Sequence, residues 1–565
     1  MYRHKTSDPL CSSASLLRSA LAAAAMLGIP LPASAVEIFN SEDMVLRWDN
    51  LIAYQSVFRT EPRNPALLTN INTDDADRNF VPGIVSNRFD LLSQLDFSAS
   101  GFGFDASAAA WYDFVYHQTN HNDSPATFNP YSVPHNQFPR AVRQLHGAYA
   151  ELVNAFLYGS FDINGLPFSF RAGRHTLLWG ESLFFPENGV AGGQAPIDEN
   201  KVLGRPSAYA RDVYMPVAQA WAGVQLPGGF SLEAYHQFEW RKTRVPGAES
   251  WLSTADYLDA GGEQYLLGNG QYLFRTRDQT PSSAGQFGAA LRWSSGDVDL
   301  GLYALRFNAK DPQVYFRPGT VAALNYLYTQ YPAGQPQYDV SSLYPGGTID
   351  ASVVNYTRGL AGTYRLVYPQ GIQLYGASAS FALGNTNIAG EISGRTNSPL
   401  PSTVLVELPG RLADANRNAL YATGATLNAQ ISSTTTFSRT ALWDSAELSA
   451  EIAANRRLTV TRNAAALDPH DSSTVAVRAL FQPGYFEVLP NLNINLDFAV
   501  GMGDSGYSRP AFYDTQSAAD VELGVSATYQ VFWRASVTYA HFIGSPNHQP
   551  LADRDFITLA IQRNL

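Results

Sequence analysis

Apolar and polar residues alternate with a period of two along most of the chain, in segments of roughly ten residues. Clear examples are residues 88–98, 445–453, 520–529 and 533–539. Successive side chains of a β-strand point to opposite faces, and a tilted strand of this length crosses a bilayer. The pattern therefore predicts many membrane-spanning strands, each with one apolar and one polar face.

Charged residues stand in the middle of several of these segments, namely Asp90, Glu447, Glu451, Glu522 and Arg534. A charge that faces hydrocarbon is costly, so we expect these side chains to point into a wet interior. Closing the sheet leaves no backbone group without a partner in the membrane. The prediction is an all-β fold, a transmembrane antiparallel β-barrel with a polar lumen.

Short turns and long connections alternate between the predicted strands. The short turns are Ser100-Gly101, Asn164-Gly165, Pro227-Gly228-Gly229, Ser295-Gly296-Asp297 and Gly384-Asn385. The long, irregular connections are residues 60–84, 118–142, 181–216, 243–283 and 308–358. Bacterial outer-membrane barrels have short periplasmic turns and long extracellular loops, and we expect about 16 strands, with 14 to 18 compatible with the pattern. Residues 556–565 alternate up to Leu565 and predict the last strand.

Residues 1–35 are typical of a secretory signal peptide rather than of the fold. Basic residues precede an apolar stretch, and Ala33-Ser34-Ala35 supplies the small residues of a cleavage site. We therefore expect one barrel domain, residues 36–565, exported to the bacterial outer membrane and surrounded by its lipid. The only cysteine, Cys11, lies in the signal, so disulfides are not expected in the exported part. The net charge of −11 argues against nucleic acid as a partner.

Two short motifs suggest chemistry but have simpler explanations. Gly503-Asp504-Ser505-Gly506 matches the surroundings of a serine-protease nucleophile, yet these residue types are also usual in turns. Asp74, Asp75 and Asp77 offer oxygen ligands for Ca²⁺, but they lack the spacing of an EF-hand, and a solvated or arginine-paired loop explains them better. We expect no catalytic residue, no metal and no cofactor.

Five residues are candidates for contact with a solute. Trp179 and Glu181 follow a predicted strand at the mouth of the barrel, although Trp179 could instead be an interfacial anchor. Tyr315, Phe316 and Tyr326 belong to an aromatic-rich loop that could bind an apolar solute or fold inward. An extracellular loop that faces lipopolysaccharide explains the same aromatics equally well.

Several stretches together resemble the domain of unknown function 1302 family over nearly all of the exported chain. They are Asp74–Phe80, Ala110–Asp113, Gly173–His175 with Trp179–Ser182, Gly362–Pro369 and Asp553–Phe556. The resemblance implies an outer-membrane barrel in bacteria that handle hydrophobic compounds. It also implies a possible association with an RND-type exporter and a companion periplasmic protein.

These observations predict a channel for small organic molecules, hydrophobic or amphipathic in view of the resemblance, and not an enzyme. A closed docking barrel that serves an RND-type exporter is the alternative. An outer-membrane lipase with Ser505 as nucleophile is the less favoured third hypothesis.

Overall fold

The computed structural model describes residues 36–41, 43–330, 340–410, 413–469, 473–504 and 518–565. The predicted signal peptide, residues 1–35, and Ser505 lie outside these ranges. No helix among the described residues is long and apolar enough to cross a bilayer.

Twenty-four strands and five α-helices, together with short 3₁₀- and π-helical segments, make up the regular structure of the described residues. The strands are β1 (Val36–Asn40), β2 (Met44–Arg59), β3 (Gly83–Ala99), β4 (Phe102–Asp113), β5 (Ala148–Ile163), β6 (Leu166–His175), β7 (Val217–Leu226), β8 (Phe230–Gln237), β9 (Gln264–Gly268), β10 (Gln271–Arg275), β11 (Gln286–Ser295), β12 (Val298–Phe307), β13 (Gln313–Pro318), β14 (Leu360–Val367), β15 (Ile372–Leu383), β16 (Thr386–Pro399), β17 (Leu405–Val406), β18 (Thr423–Phe437), β19 (Ser445–Arg462), β20 (Ser473–Leu489), β21 (Leu492–Asp504), β22 (Ala519–Tyr529), β23 (Trp533–Ile543) and β24 (Phe556–Asn564). The helices are α1 (Asp75–Asn79), α2 (Arg140–Val142), α3 (Glu199–Gly204), α4 (Ala210–Val213) and α5 (Val321–Gln330).

Eighteen of the strands form one closed antiparallel barrel, at the upper end of the predicted range. Each barrel strand pairs with the next one along the chain, and the sheet closes where β2 pairs with both β3 and β24. The short β1 adds a further pairing along the beginning of β2. The predicted all-β barrel is therefore the observed architecture.

The alternation of the sequence corresponds to the two faces of the wall. In β19, Ile452 is 48% exposed on the outer face, whereas Glu451 beside it is 1% exposed on the inner face. Leu302 and Leu157 are also exposed on the outside. Aromatic side chains are exposed toward both ends of the strands: Phe102, Phe161, Phe230 and Phe381 near the short turns, and Tyr112, Phe238, Phe287 and Tyr375 near the long loops. An apolar band between two aromatic girdles is the outer surface of membrane barrels.

The short turns all lie at one end of the barrel, as predicted. At Asn164 and Gly165 both φ angles are positive, 54° and 82°, as a two-residue hairpin turn of the twisted sheet requires. The long connections lie at the opposite end. There, two of them are more regular than expected: residues 243–283 contain β9 and β10, and residues 308–358 contain β13 and α5.

The long loops fold over the barrel end into a structure that we call the cap. Its centre is a second sheet with the strand order β17-β13-β14-β10-β9. Each of these strands is short, and the pairs β10–β14 and β13–β17 are parallel. Such pairs join parts of the chain that are far apart in sequence, so the loops support one another rather than extending singly into solvent.

Candidate functional site

One long connection, residues 176–216 between β6 and β7, folds into the barrel and is called the inward loop here. Its backbone contacts side chains of the inner wall on several strands. Because a loop inside a barrel carries many backbone N–H and C=O groups away from water, these groups need partners there. The wall supplies them.

Two glutamates of the inner wall accept hydrogen bonds from the backbone of the inward loop. Glu451 of β19 accepts from the amides of Leu183, Phe184 and Phe185, with the first and last at 3.1 Å. Glu391 of β16 accepts from the amide of Glu181 at 2.8 Å. A carboxylate bonded to several N–H groups makes charge-assisted hydrogen bonds, which are stronger than neutral ones.

The glutamate contacts extend along the wall in both directions. Glu391 also accepts from the amide of Val190 at 2.9 Å, and Glu522 of β22 accepts from both the amide and the hydroxyl of Ser207 at 3.0 and 2.7 Å. Arg395 of β16 donates to the carbonyl oxygens of residues 187, 188 and 189. We call this part of the barrel, from β16 to β22, the fastened side.

Gly180 explains part of the Trp179–Ser182 motif. Its φ is +86°, and a Cβ atom added there would overlap Oε2 of Glu391. A side chain at this position would therefore push the loop away from the glutamate that binds it. The glycine allows the close approach of backbone and carboxylate.

On the opposite side of the inward loop, a cavity of about 650 Å³ separates it from the wall formed by β2 to β5. We call this the open side. Apolar lining residues of the wall are Leu51, Ala53, Leu92, Ala109 and Val153. Polar lining groups include Arg88, Asp90, Glu151, Asp198, Lys201, Arg241 and Arg244. The cavity thus combines an apolar strip with charged groups.

Most of the charged groups of the cavity are paired with one another. Arg244 donates to Glu151 of β5 at 2.6 Å and to Asp198 of the inward loop at 2.9 Å, so it links wall and loop. Arg88 pairs with Asp90 on β3. The guanidinium groups of Arg88 and Arg244 also lie 4.6 and 5.8 Å from the ring centre of Trp111. Such cation–π contacts hold flat cationic groups against an aromatic surface.

A buried ion-pair network joins the cap to the open side. Arg554 contacts both carboxylate oxygens of Asp77 at 3.0 Å, and Arg59 of β2 contacts Asp553 at 2.9 Å. All four side chains are nearly or fully buried. Although burial opposes ionisation, Arg554 and Arg59 hold the pKa of Asp77 below its usual range. The arginine-paired interpretation of this aspartate is therefore correct.

The five residues predicted to contact solute lie in two places. Trp179 packs inside the barrel against Tyr235 and Tyr303, and its indole N–H donates to Glu233 at 2.9 Å. Glu181 is half-buried in the inward loop. Contact of either residue with solute stays a prediction.

The other three candidates belong to the cap. Tyr315 is fully buried, and its hydroxyl donates to the carbonyl of Asp414 at 2.9 Å. Phe316 is 2% exposed and packs against Tyr265, while Tyr326 of α5 is half-buried in the same apolar cluster. These aromatics form the core of the cap in this conformation, and a role in solute contact stays a prediction for them too.

Sequence reasoning placed Glu451, Glu447, Glu522 and Asp90 on the inner face, and their contacts agree. The hydroxyl of Tyr209 in the inward loop donates to Glu447, and Asp90 lines the cavity. The sequence analysis did not identify Glu391, Glu151 and Arg244 as residues of the inner wall or the cavity. Alternation gives the face of a residue but not its partner, and Glu391 meets the amide of a residue 210 positions away.

Several solved structures have low similarity to the chain. Acinetobacter baumannii OccAB1 is 10% identical, with a TM-score of 0.42, and the match covers 94% of this chain and 98% of that one. A. baumannii OccAB4 is 9% identical, with a TM-score of 0.41, and the match covers 93% of this chain and 98% of that one. Pseudomonas aeruginosa OpdK, solved with vanillate, is 8% identical, with a TM-score of 0.41, and the match covers 92% of this chain and 98% of that one.

None of the curated proteins compared with the chain matches it. A family model, by contrast, matches residues 16–565, which is nearly the whole chain. The resemblance inferred from the short motifs is therefore confirmed, and the chain belongs to the family described as "Protein of unknown function (DUF1302)".

Proposed function

We propose that the protein is an outer-membrane channel that passes small amphipathic organic molecules through the cavity on its open side. The observation that carries the proposal is this cavity of about 650 Å³, which lies between the barrel wall and the inward loop. Its size falls within the range of small-molecule sites. Passage requires no bond chemistry, cofactor or metal.

The outer surface of the barrel supports a location in a membrane. Exposed side chains such as Leu157, Leu302 and Ile431 would be unfavourable in water but suit the acyl chains of a bilayer. The end with long loops would then face the cell exterior, and the end with short turns the periplasm.

The lining of the cavity supports an amphipathic solute. An apolar ring or chain could lie against Leu51, Ala53 and Leu92, while a polar end meets the arginines near Trp111. Since these arginines are already paired with carboxylates, the cavity has little unbalanced charge. We therefore expect weaker discrimination by solute charge than by solute shape and polarity.

A pair of tryptophan substitutions on β4 tests the route. Ala109 lines the cavity and Ala108 is exposed on the outer face, so Ala109→Trp narrows the passage whereas Ala108→Trp adds only lipid-facing surface. Both variants and the unmodified protein would be reconstituted in liposomes. Uptake of sugars of graded size would be compared with uptake of apolar and amphipathic aromatic solutes.

We expect the unmodified protein to admit amphipathic aromatic solutes, Ala109→Trp to slow them markedly and Ala108→Trp to leave them unchanged. Equal uptake by both variants would mean that solutes do not use this cavity. Absence of any permeation, together with a flat planar-bilayer current and co-purification of an exporter component, would favour the docking barrel. Ester hydrolysis lost in Ser505→Ala would favour the lipase hypothesis.

A further inference from the structure

Three acidic residues meet inside the cap. None of them lines the cavity, although Glu249 directly precedes the lining residues Ser250, Trp251 and Leu252. They are Asp75 of α1, Glu249 and Asp256, the last two in the connection between β8 and β9. Each side chain is fully buried, and each offers one oxygen such that these atoms all lie within 4.8 Å of one another. Like charges at this spacing repel strongly unless something neutralises them.

Arginines form ion pairs with the neighbouring aspartates, whereas at this cluster the charge of Arg554 acts on Asp256 only from beyond ion-pair distance. Asp74 pairs with Arg78, and Asp77 pairs with Arg554. Within the described ranges, by contrast, no lysine or arginine forms an ion pair with Asp75, Glu249 or Asp256. The run of aspartates therefore divides: two of its members bind arginines, and the third points to two acidic residues of another loop.

Neutral donors satisfy only some of the carboxylate oxygens. The side-chain amide of Asn122 and the backbone amide of Asn129 donate to the two oxygens of Asp75, at 3.1 and 2.8 Å. The side chain of Asn79 donates to Oε2 of Glu249 at 2.9 Å, and the amide of Asp75 donates to Oδ2 of Asp256 at 3.2 Å.

The second oxygen of each of the other two groups is left over. Oε1 of Glu249 and Oδ1 of Asp256 are buried and accept no hydrogen bond from an amide or hydroxyl group, while the carboxyl groups of Glu249 and Asp75 lie within hydrogen-bonding distance of each other. An unsatisfied buried carboxylate oxygen costs free energy, so such atoms in a native fold point to a missing partner. A metal ion or a shared proton can fill this role, because each reduces the negative charge of the three acids.

We propose that Asp75, Glu249 and Asp256 bind one Ca²⁺ ion that ties the loop after β2 to the loop after β8. The donor set contains only oxygen, without histidine or cysteine, and this selects a hard cation over zinc or copper. Ca²⁺ accepts carboxylates in flexible geometry, whereas Mg²⁺ demands octahedral geometry and retains most of its waters. Three carboxylates that bind through both oxygens would supply about six of the six to eight oxygens that Ca²⁺ takes, whereas they leave little room for the waters of Mg²⁺.

Burial raises the pKa of Asp75 to about 7, and the pKa values of Glu249 and Asp256 are raised as well, first by burial and then by the neighbouring acids. Protons are thus the competitor of the metal ion at this cluster. Calcium affinity of extracellular protein modules is about 0.1–1 mM, and we expect an affinity of this order or somewhat tighter.

The test uses the full chain refolded in detergent without lipopolysaccharide, stripped with EDTA and titrated with Ca²⁺ alone at neutral pH. Glu249→Gln and Asp256→Asn each remove one charged ligand at nearly constant volume. Asp123→Asn is the matched control, because this residue also belongs to the cap but its side chain is 61% exposed and pairs with Arg63 and Arg78. Heat-modifiable gel migration and the β-sheet circular dichroism spectrum report folding of each variant.

We expect one Ca²⁺ per chain, at least a tenfold weaker affinity in both ligand variants and an unchanged affinity in Asp123→Asn. Failure of the unmodified protein to bind one Ca²⁺ would overturn the proposal, as would equal affinity in the ligand variants. In that case protons alone neutralise the cluster.

A second measurement does not depend on the ligand variants. Trp251 lies two residues after Glu249, so excitation of tryptophan should sensitise the emission of Tb³⁺ bound at this cluster. We expect Ca²⁺ to displace this emission and Trp251→Phe to weaken it without changing the Ca²⁺ affinity. Absence of Ca²⁺-displaceable Tb³⁺ emission would overturn the proposal.

Discussion

The carboxylates that hold the inward loop on the fastened side and those around the open side have different main partners, although the fastened side also contains the buried ion pair of Arg478 with Asp520. On the fastened side, Glu391, Glu451 and Glu522 bind backbone and hydroxyl groups of the inward loop. On the open side and in the cap above it, Glu151 and Asp77 pair with arginines. A carboxylate on the inner wall thus binds the inward loop where backbone amides lie close to it. Where an arginine lies close to it, the carboxylate forms an ion pair instead.

The largest effect of a substitution is expected at the buried ion pairs of the cap. Asp77→Asn removes the ion-pair partner of Arg554 and the weaker of the two carboxylate contacts of Arg59, which keeps Asp553. Removal of one partner of a buried pair costs about 3–5 kcal/mol. Chemical unfolding of the refolded protein, followed by tryptophan fluorescence, measures the loss.

Asp123→Asn serves as the control for that substitution. It removes an exposed partner of Arg63 and Arg78, and exposed pairs contribute only about 0–1 kcal/mol. Similar losses of unfolding free energy in the two variants would mean that burial does not determine how much an ion pair of the cap contributes to stability.

On the fastened side, we expect substitution of the glutamates to release the inward loop. The double variant Glu391→Ala and Glu451→Ala leaves several loop amides without acceptors, and each lost charge-assisted hydrogen bond weakens attachment by about 1.5–3 kcal/mol. We expect the inward loop to detach and the single-channel conductance in planar bilayers to rise and fluctuate. Glu487→Ala changes an exposed acidic residue near the short-turn end and should conduct like the unmodified protein.

An unchanged conductance in the double variant, in a protein that still folds, would contradict the role of these glutamates. The inward loop would then be held mainly by its apolar contacts, such as those of Phe184 and Phe185 with the inner wall.

The smallest effect is expected from His146, at the edge of the cavity. Its Nε2 accepts a hydrogen bond from the amide of Gly247 at 3.0 Å, and Tyr116 stacks on its ring. Burial lowers the pKa of His146 to about 3, and the charges of Arg88 and Arg244 add to this shift.

Because this pKa is depressed in the folded state, the unfolded chain binds the proton first as the pH falls. The stabilising contribution of the neutral ring is present above about pH 6.5 and is lost progressively toward about pH 3. His146→Asn should therefore show a smaller loss of thermal stability between these pH values than the unmodified protein. If the thermal stability of the two proteins changed with pH in parallel, the imidazole of His146 would take up its proton in the folded protein as readily as in the unfolded chain.

The sequence predicted the wall well because alternation is a local property of each strand. Glu451 could be assigned to the inner face from its immediate neighbours, and residues 556–565 could be identified as the closing strand. The position of the inward loop was not predictable in this way. Residues 181–216 lack alternation, and their partners lie in strands that follow much later in the chain.

The cap illustrates the same limit. Tyr315 and Phe316 lie in a strand of six residues, β13, which is too short to stand out from a loop rich in glycine and proline. The sequence alone does not distinguish Asp75 from Asp74 and Asp77. Only the contacts in the folded protein show that Asp75 lies beside acidic residues and that its neighbours lie beside arginines. Pairing between distant loops depends on tertiary structure, and no short window of sequence contains it.

The closure of the barrel has a further consequence for mechanical strength. All other neighbouring barrel strands follow one another along the chain, whereas β2 and β24 are joined by backbone hydrogen bonds without a connecting loop. Asp77 follows β2 and Arg554 precedes β24, so their ion pair spans this junction. The ion pair therefore connects the two ends of the sheet at the junction that no loop reinforces. If force separated β2 from β24, breakage of this ion pair would be an early step.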